Sequence, residues 1–82
     1  MAAGKRRMKL TGLKQPVALQ KHFACYMVDV AYVIEIAPDS VIVEMDDGID
    51  LGEKRDRDWA IDLVRGELRN CGEIQAQIEV LD

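Results

Sequence analysis

The chain has 82 residues, 49% of them apolar and 32% charged, which suffices for one folded domain and not for two. Its formal charge of −4 is split: residues 1–22 carry six bases and no acid, whereas residues 23–82 carry five bases and all fifteen acids. Asp29 and Glu35 interrupt the longest apolar stretches, so nothing approaches the ~20 residues of a membrane span, and no apolar block follows the basic start, which argues against a secretory signal.

Residues 1–15 lack hydrophobic periodicity and contain Gly4 and Gly12. They are expected to form a basic, partly flexible arm, since little apolar surface there offsets the entropy of ordering. Residues 16–82 are expected to form a single α+β domain. Pro16 is placed to open a short helix carrying Val17, Leu19 and Phe23. From Cys25 to Ile36 the chain alternates, with Tyr26, Val28, Val30, Tyr32, Ile34 and Ile36 on one parity, as a strand does. Ala37-Pro38-Asp39-Ser40 supplies turn chemistry, and Val41–Met45 completes a hairpin. Asp46-Asp47-Gly48 marks a second turn, with Gly48 free to take positive φ.

Asp56 or Asp58 is placed to cap a helix whose apolar positions from Trp59 onward are Ala60, Ile61, Leu63, Val64, Leu68 and Cys71. Gly72 stands where a left-handed residue ends that helix. Ile74, Ala76, Ile78 and Val80 then alternate with Gln75, Gln77 and Glu79 as a last strand. The expected fold is therefore ββαβ: a three-stranded antiparallel sheet of order 2-1-3, the long Cys25–Ile36 strand central, with one helix packed on one face. The other face would show Met27, Ala31, Val33, Ile42 and Leu81 beside Asp29, Glu35, Glu44 and Glu79, unless the Pro16–Phe23 segment covers it or a bulge changes the parity. Such a mixture of exposed apolar and acidic side chains fits an interaction face, and a homodimer would relieve the thin core.

Catalytic chemistry is sparse. Ser40, Thr11 and His22 are each the sole residue of their type, and no glycine-flanked serine makes a nucleophile elbow. His22, Cys25 and Cys71 make three candidate metal ligands where structural zinc takes four, so no metal and no cofactor is expected. The two cysteines lie far apart and form no Cys-x-x-Cys pair, so both are expected to be reduced thiols in a cytoplasmic protein.

Eight acids crowd residues 44–62. Their spacing does not meet the calcium-loop pattern. Carboxylates so spaced on a surface can imitate nucleic-acid phosphates and occupy the basic groove of a protein that binds one. The expected function is accordingly a non-enzymatic protein-binding module, an acidic inhibitor that occupies a partner's nucleic-acid-binding surface. Glu44, Asp46, Asp47, Asp50 and Glu53 would make the contacts, with Met27 and Val33 as apolar anchors. The alternative is a nucleic-acid-binding regulator using Lys5, Arg6, Arg7 and Lys9 on phosphates, although the arm lacks stacking aromatics. No family motif is matched. The general profile, small, acidic and poor in catalytic residues, is similar to that of phage-encoded inhibitors such as anti-CRISPR proteins, a likeness of size and charge that rests on no particular residue.

Overall fold

A computed structural model describes residues 4–81. The elements run β1 (Arg7–Thr11), α1 (Pro16–Tyr26), β2 (Ala31–Ile36), β3 (Ser40–Met45), α2 (Lys54–Asn70) and β4 (Gln77–Leu81). The fold is α+β with a four-stranded sheet of order β2-β3-β1-β4, antiparallel throughout, and two helices. This β-α-β-β-α-β order is the split β-α-β arrangement of the ferredoxin-like folds. It corrects the expected three strands, single helix and 2-1-3 order. The outer ends of the expected arm and body, residues 1–3 and 82, lie outside the described residues.

The largest correction concerns the basic segment. Instead of a flexible arm, residues 7–11 form the strand between β3 and β4. Arg7-Met8-Lys9-Leu10-Thr11 alternates like any half-buried strand: Met8 and Leu10 are fully buried, and the bases turn to the outer face. The reading failed because only two apolar residues mark the strand, while its partners stand more than thirty and nearly seventy residues away.

Helix α1 has Pro16 in its first turn, where the missing amide costs nothing. Leu19, Phe23 and Met27 follow at four-residue spacing, and all three are buried. The expected strand from Cys25 is thus helix as far as Tyr26. The backbone amides of Val30 and Ala31 both donate to the Met27 carbonyl, and Asp29 takes a left-handed φ of 66° as the chain turns into β2. A short polar side chain tolerates that region better than most. The hairpin β2–β3 closes over Pro38-Asp39, the Ala37 amide donating to the Ser40 carbonyl at 2.8 Å. Gly48 does not take the positive φ expected of it.

Helix α2 starts at Lys54, ahead of Trp59, and buries Ala60, Val64 and Leu68 along one face. Glu53 occupies its N-cap position without a side-chain cap bond, so neither Asp56 nor Asp58 is the cap. Asp56 instead accepts the Asp50 amide at 3.0 Å. Asp58 pairs with Lys54 one turn back, and this hydrogen bond, with the Lys54 and Arg57 charges, holds its carboxyl below the ordinary value despite some desolvation. The C-terminus is as expected: Gly72 has φ 75°, its amide donates to the Arg69 carbonyl, and the Glu73 amide reaches back to Leu68. These two bonds are those of a Schellman motif.

Met8, Leu10, Val41, Val43 and Met45 from the sheet meet Leu19, Phe23, Ala60, Val64 and Leu68 from both helices in one core. Both helices thus serve the same face. The opposite face carries Arg7, Lys9 and Thr11 in its central strand, flanked by Ile42, Glu44 and Glu79.

Candidate functional site

The anticipated acidic contacts do not form a free row of charge. Arg7 on β1 stands opposite Glu44 on β3 in the strand register, and its Nε donates to Glu44 Oε2 at 3.0 Å. Arg6 reaches Asp47 at 2.6 Å and lies 3.8 Å from Glu44. Asp50 turns its carboxylate onto the Gly52 amide at 2.8 Å and packs so tightly on Gly4 that a Cβ there would lie 2.1 Å from Asp50 Oδ1. Asp46 is half-buried at the end of β3, and Glu53 is exposed at the start of α2. The carbonyl of Lys5 accepts the Leu51 amide, which laces the segment before β1 to the acidic loop. Bases proposed for phosphates and acids proposed to imitate them therefore meet within one chain, while Lys9 stands on the outer face opposite Ile42 and Glu79.

Of the two apolar anchors, Met27 needs correcting. Met27 is 2% exposed and belongs to the core, so it cannot reach a partner. Val33 lies on the inner face of β2, half-buried against that core.

His22, Cys25 and Cys71 do not assemble a metal site, and among the described residues no group of three potential ligands is close enough to hold an ion. His22 Nε2 donates to Glu67 across the α1–α2 contact, and its ring lies 4.6 Å from that of Tyr26. Both cysteines are free thiols. Burial, with the Glu67 and Glu73 charges, pushes the Cys71 thiol above its ordinary pKa, the opposite of what a nucleophile needs.

Sequence reasoning missed the surface between α1 and β2. Eight large apolar side chains are exposed among the described residues, and six belong to α1, β2 and the loop joining them: Val17, Tyr26, Val28, Tyr32, Ile34 and Ile36. Between the two elements runs a groove of about 290 Å³, lined by Gln20, Phe23, Ala24, Val28, Tyr32 and Val33. The alternation from Cys25 to Ile36 did flag this stretch as apolar. A strand over that stretch would put these side chains in the core, but helix α1 continues past Phe23 to Tyr26 and leaves them exposed.

Strand β2 lies at the edge of the sheet. The Asp46 amide donates to Val30, and Ala37 pairs with Ser40. Bonded pairs alternate along an antiparallel ladder, so Ala31, Val33 and Ile36 turn their main-chain groups away from β3. The Ala31 amide is already taken by Met27, and a bulge between Val33 and Glu35 breaks the row. Bulges of this kind blunt an edge against further strands and re-aim a side chain. Ile34 is the residue inserted there, and it is exposed. This edge therefore presents mainly side chains rather than free main-chain groups. No helix among the described residues is long and apolar enough to cross a membrane. Comparison with protein-family models, with curated proteins and with solved structures finds no match.

Proposed function

We propose that this chain is a protein-binding module with no reaction of its own, and that it docks through the α1–β2 side. The observation that carries the reading is that six of the eight exposed large apolar side chains lie on α1, β2 and the loop joining them, where Val28 and Tyr32 also line a groove. Contiguous exposed apolar surface on a small domain marks an interaction site more often than chance. The groove falls just under the roughly 300–1,000 Å³ of typical small-molecule sites, a size that suits the side chains of a protein partner. Charge supports the acidic run less well as the docking surface, because Arg6 and Arg7 already engage Glu44 and Asp47.

The test is recovery of a partner from cells that express the chain, with wild type, Tyr32→Lys and the double variant Asp46→Lys/Asp47→Lys as bait. The apolar reading expects Tyr32→Lys to lose the partner, the double variant to keep it, and moderate salt to leave recovery unchanged, since apolar contacts are not screened. A partner kept by Tyr32→Lys but lost with the acidic pair or in salt overturns it.

A further inference from the structure

The geometry points to a second binding site, on the sheet face opposite the helices and beside the β2–β3 hairpin, that takes a small aliphatic α-amino acid by both of its charged ends. A hollow of about 190 Å³ lies there, and its lining includes Lys9, Glu35, Ile36, Ala37, Ser40 and Ile42. It shares no lining residue with the groove between α1 and β2, so it stands apart from the docking surface proposed above.

Strand register explains how these side chains gather. Lys9 on β1 and Glu35 on β2 both stand opposite Ile42 on β3, so the three form one row across the sheet. With uninterrupted alternation Glu35 would share the inner face with Val33, which pairs with Val43. The bulge that inserts Ile34 moves Glu35 to the outer face instead, the re-aiming that bulges bring about. Ser40 is two residues from Ile42 on the same strand and therefore on the same face. The backbones of Lys9 and Glu35 are two strand spacings apart, about 10 Å, with Ile42 between them as an apolar floor.

The polar groups of this hollow are unmatched. Among the described residues neither Lys9 nor Glu35 forms an ion pair, although their charges are opposite. Glu79 stands on the far side of Lys9 in the same row and does not close on it either. Ser40 is 8% exposed, and its hydroxyl makes no hydrogen bond to a described residue, whereas side-chain groups so far from solvent normally have a partner. A base, an acid and a nearly buried hydroxyl that line one hollow without meeting suit a ligand carrying both charges. In an α-amino acid the carboxylate accepts from the Lys9 ammonium and the Ser40 hydroxyl, the ammonium donates to the Glu35 carboxylate, and the side chain rests on Ile36, Ala37 and Ile42. Volume selects the size. At about 30 Å³ per water the hollow holds about six waters, room for roughly six to nine non-hydrogen atoms, which admits alanine to leucine and excludes aromatic amino acids. A site this small and open supports a dissociation constant on the order of 1 mM.

Amide chemical shifts of the intact, isotope-labelled chain test this, titrated separately with L-valine, 3-methylbutanoate and isobutylamine. The last two keep the apolar part of valine and one charged end each. L-valine should move the amides of Lys9 and of residues 35–37 and 40–42, with a midpoint at about 1 mM. Each single-ended analogue should bind at least about tenfold more weakly, because a charge-assisted hydrogen bond is lost. Glu35→Gln, on the exposed edge strand, and Lys9→Met should each weaken L-valine by a similar factor, with the rest of the spectrum unchanged. Should Lys9→Met fail to fold, Glu35→Gln and the two analogues still decide. No shift up to about 50 mM L-valine, well above the expected constant, overturns the inference. So do shifts confined to the α1–β2 groove, 3-methylbutanoate that binds as tightly as L-valine, or binding indifferent to Glu35→Gln.

Discussion

Glu73 is a buried carboxylate, and its removal tests how the turn after α2 is joined to the start of α1. Its carboxylate, 3% exposed, accepts the backbone amides of Lys14 at 2.9 Å and Gln15 at 2.9 Å and the Gln75 side-chain amide at 2.7 Å. Gln15 is the N-cap of α1 and makes no side-chain cap bond of its own. The reach back to the N-cap amide that an in-sequence glutamate makes in a capping box is here made by a residue 58 positions away. Hydrogen bonds to a charged group contribute about 1.5–3 kcal/mol each, less where the freed donor regains water. Lys14 and Gln15 are exposed and would regain it, so Glu73→Ala should cost about 2–4 kcal/mol. For a chain of this length total stability is on the order of 4–12 kcal/mol, and the midpoint of thermal unfolding should drop by roughly 10–25 °C.

The pH dependence of that loss follows from the same contacts. Burial alone would raise the Glu73 pKa, but the Lys14 and Gln15 amides, the Gln75 amide and the Lys14 charge outweigh it, and the carboxyl titrates below its ordinary value of 4.5. A depressed folded pKa means stability that is complete above 4.5 and is lost as pH falls through the folded value. Denaturant titrations of wild type and Glu73→Gln at pH 7 and at successive steps below pH 4.5 should therefore show the gap between them closing as acid is added. A gap that stays constant across that range, or an alanine variant within about 0.5 kcal/mol of wild type, would refute the capping argument.

Deleting residues 1–9 removes most of the strand between β3 and β4, so the far-UV spectrum and cooperative unfolding should both be lost, and Leu10→Ala alone should cost about 2–5 kcal/mol in a denaturant titration; a truncated chain that still unfolds cooperatively would restore the arm reading. Gly72→Ala should cost about 1 kcal/mol, because a Cβ there meets nothing within 4 Å and the penalty is the left-handed backbone itself. Asn at the same position should fall between Gly and Ala in thermal midpoint.

Helix α2, its glycine stop and the β2–β3 hairpin were legible in the sequence because their signals are local. Ala60, Val64 and Leu68 repeat every four residues, Gly72 follows the last of them, and Pro38 sits in a turn two residues long. Strand β1 was not legible, since two apolar residues among bases resemble a charged tail until the chain that pairs with them is known. The order of strands failed for a different reason. Centrality was judged from apolarity, yet the most apolar strand, β2, is at the edge. Its Tyr32, Ile34 and Ile36 are apolar without being core, and that excess over what the core uses is what the docking proposal rests on.

The separation of charge along the chain now has a physical account that does not require a partner. Of the six bases before residue 22, Arg6, Arg7 and Lys9 are set against later acids because the antiparallel sheet brings distant segments together. With β1 set between β3 and β4, Arg7 falls opposite Glu44 and Lys9 opposite Glu79. Opposite charges directly across a strand pair stabilise it, and like charges would weaken it, so this distribution favours β1 in the sheet over β1 in solution. Each exposed pair contributes little, about 0.2–1 kcal/mol. Their larger effect is on register: a shift of β1 by one residue would turn Met8 and Leu10 outward and bury Arg7 and Lys9. The charge asymmetry that suggested a reach toward nucleic acid or toward its binders is, in the folded chain, part of what holds its own central strand in place.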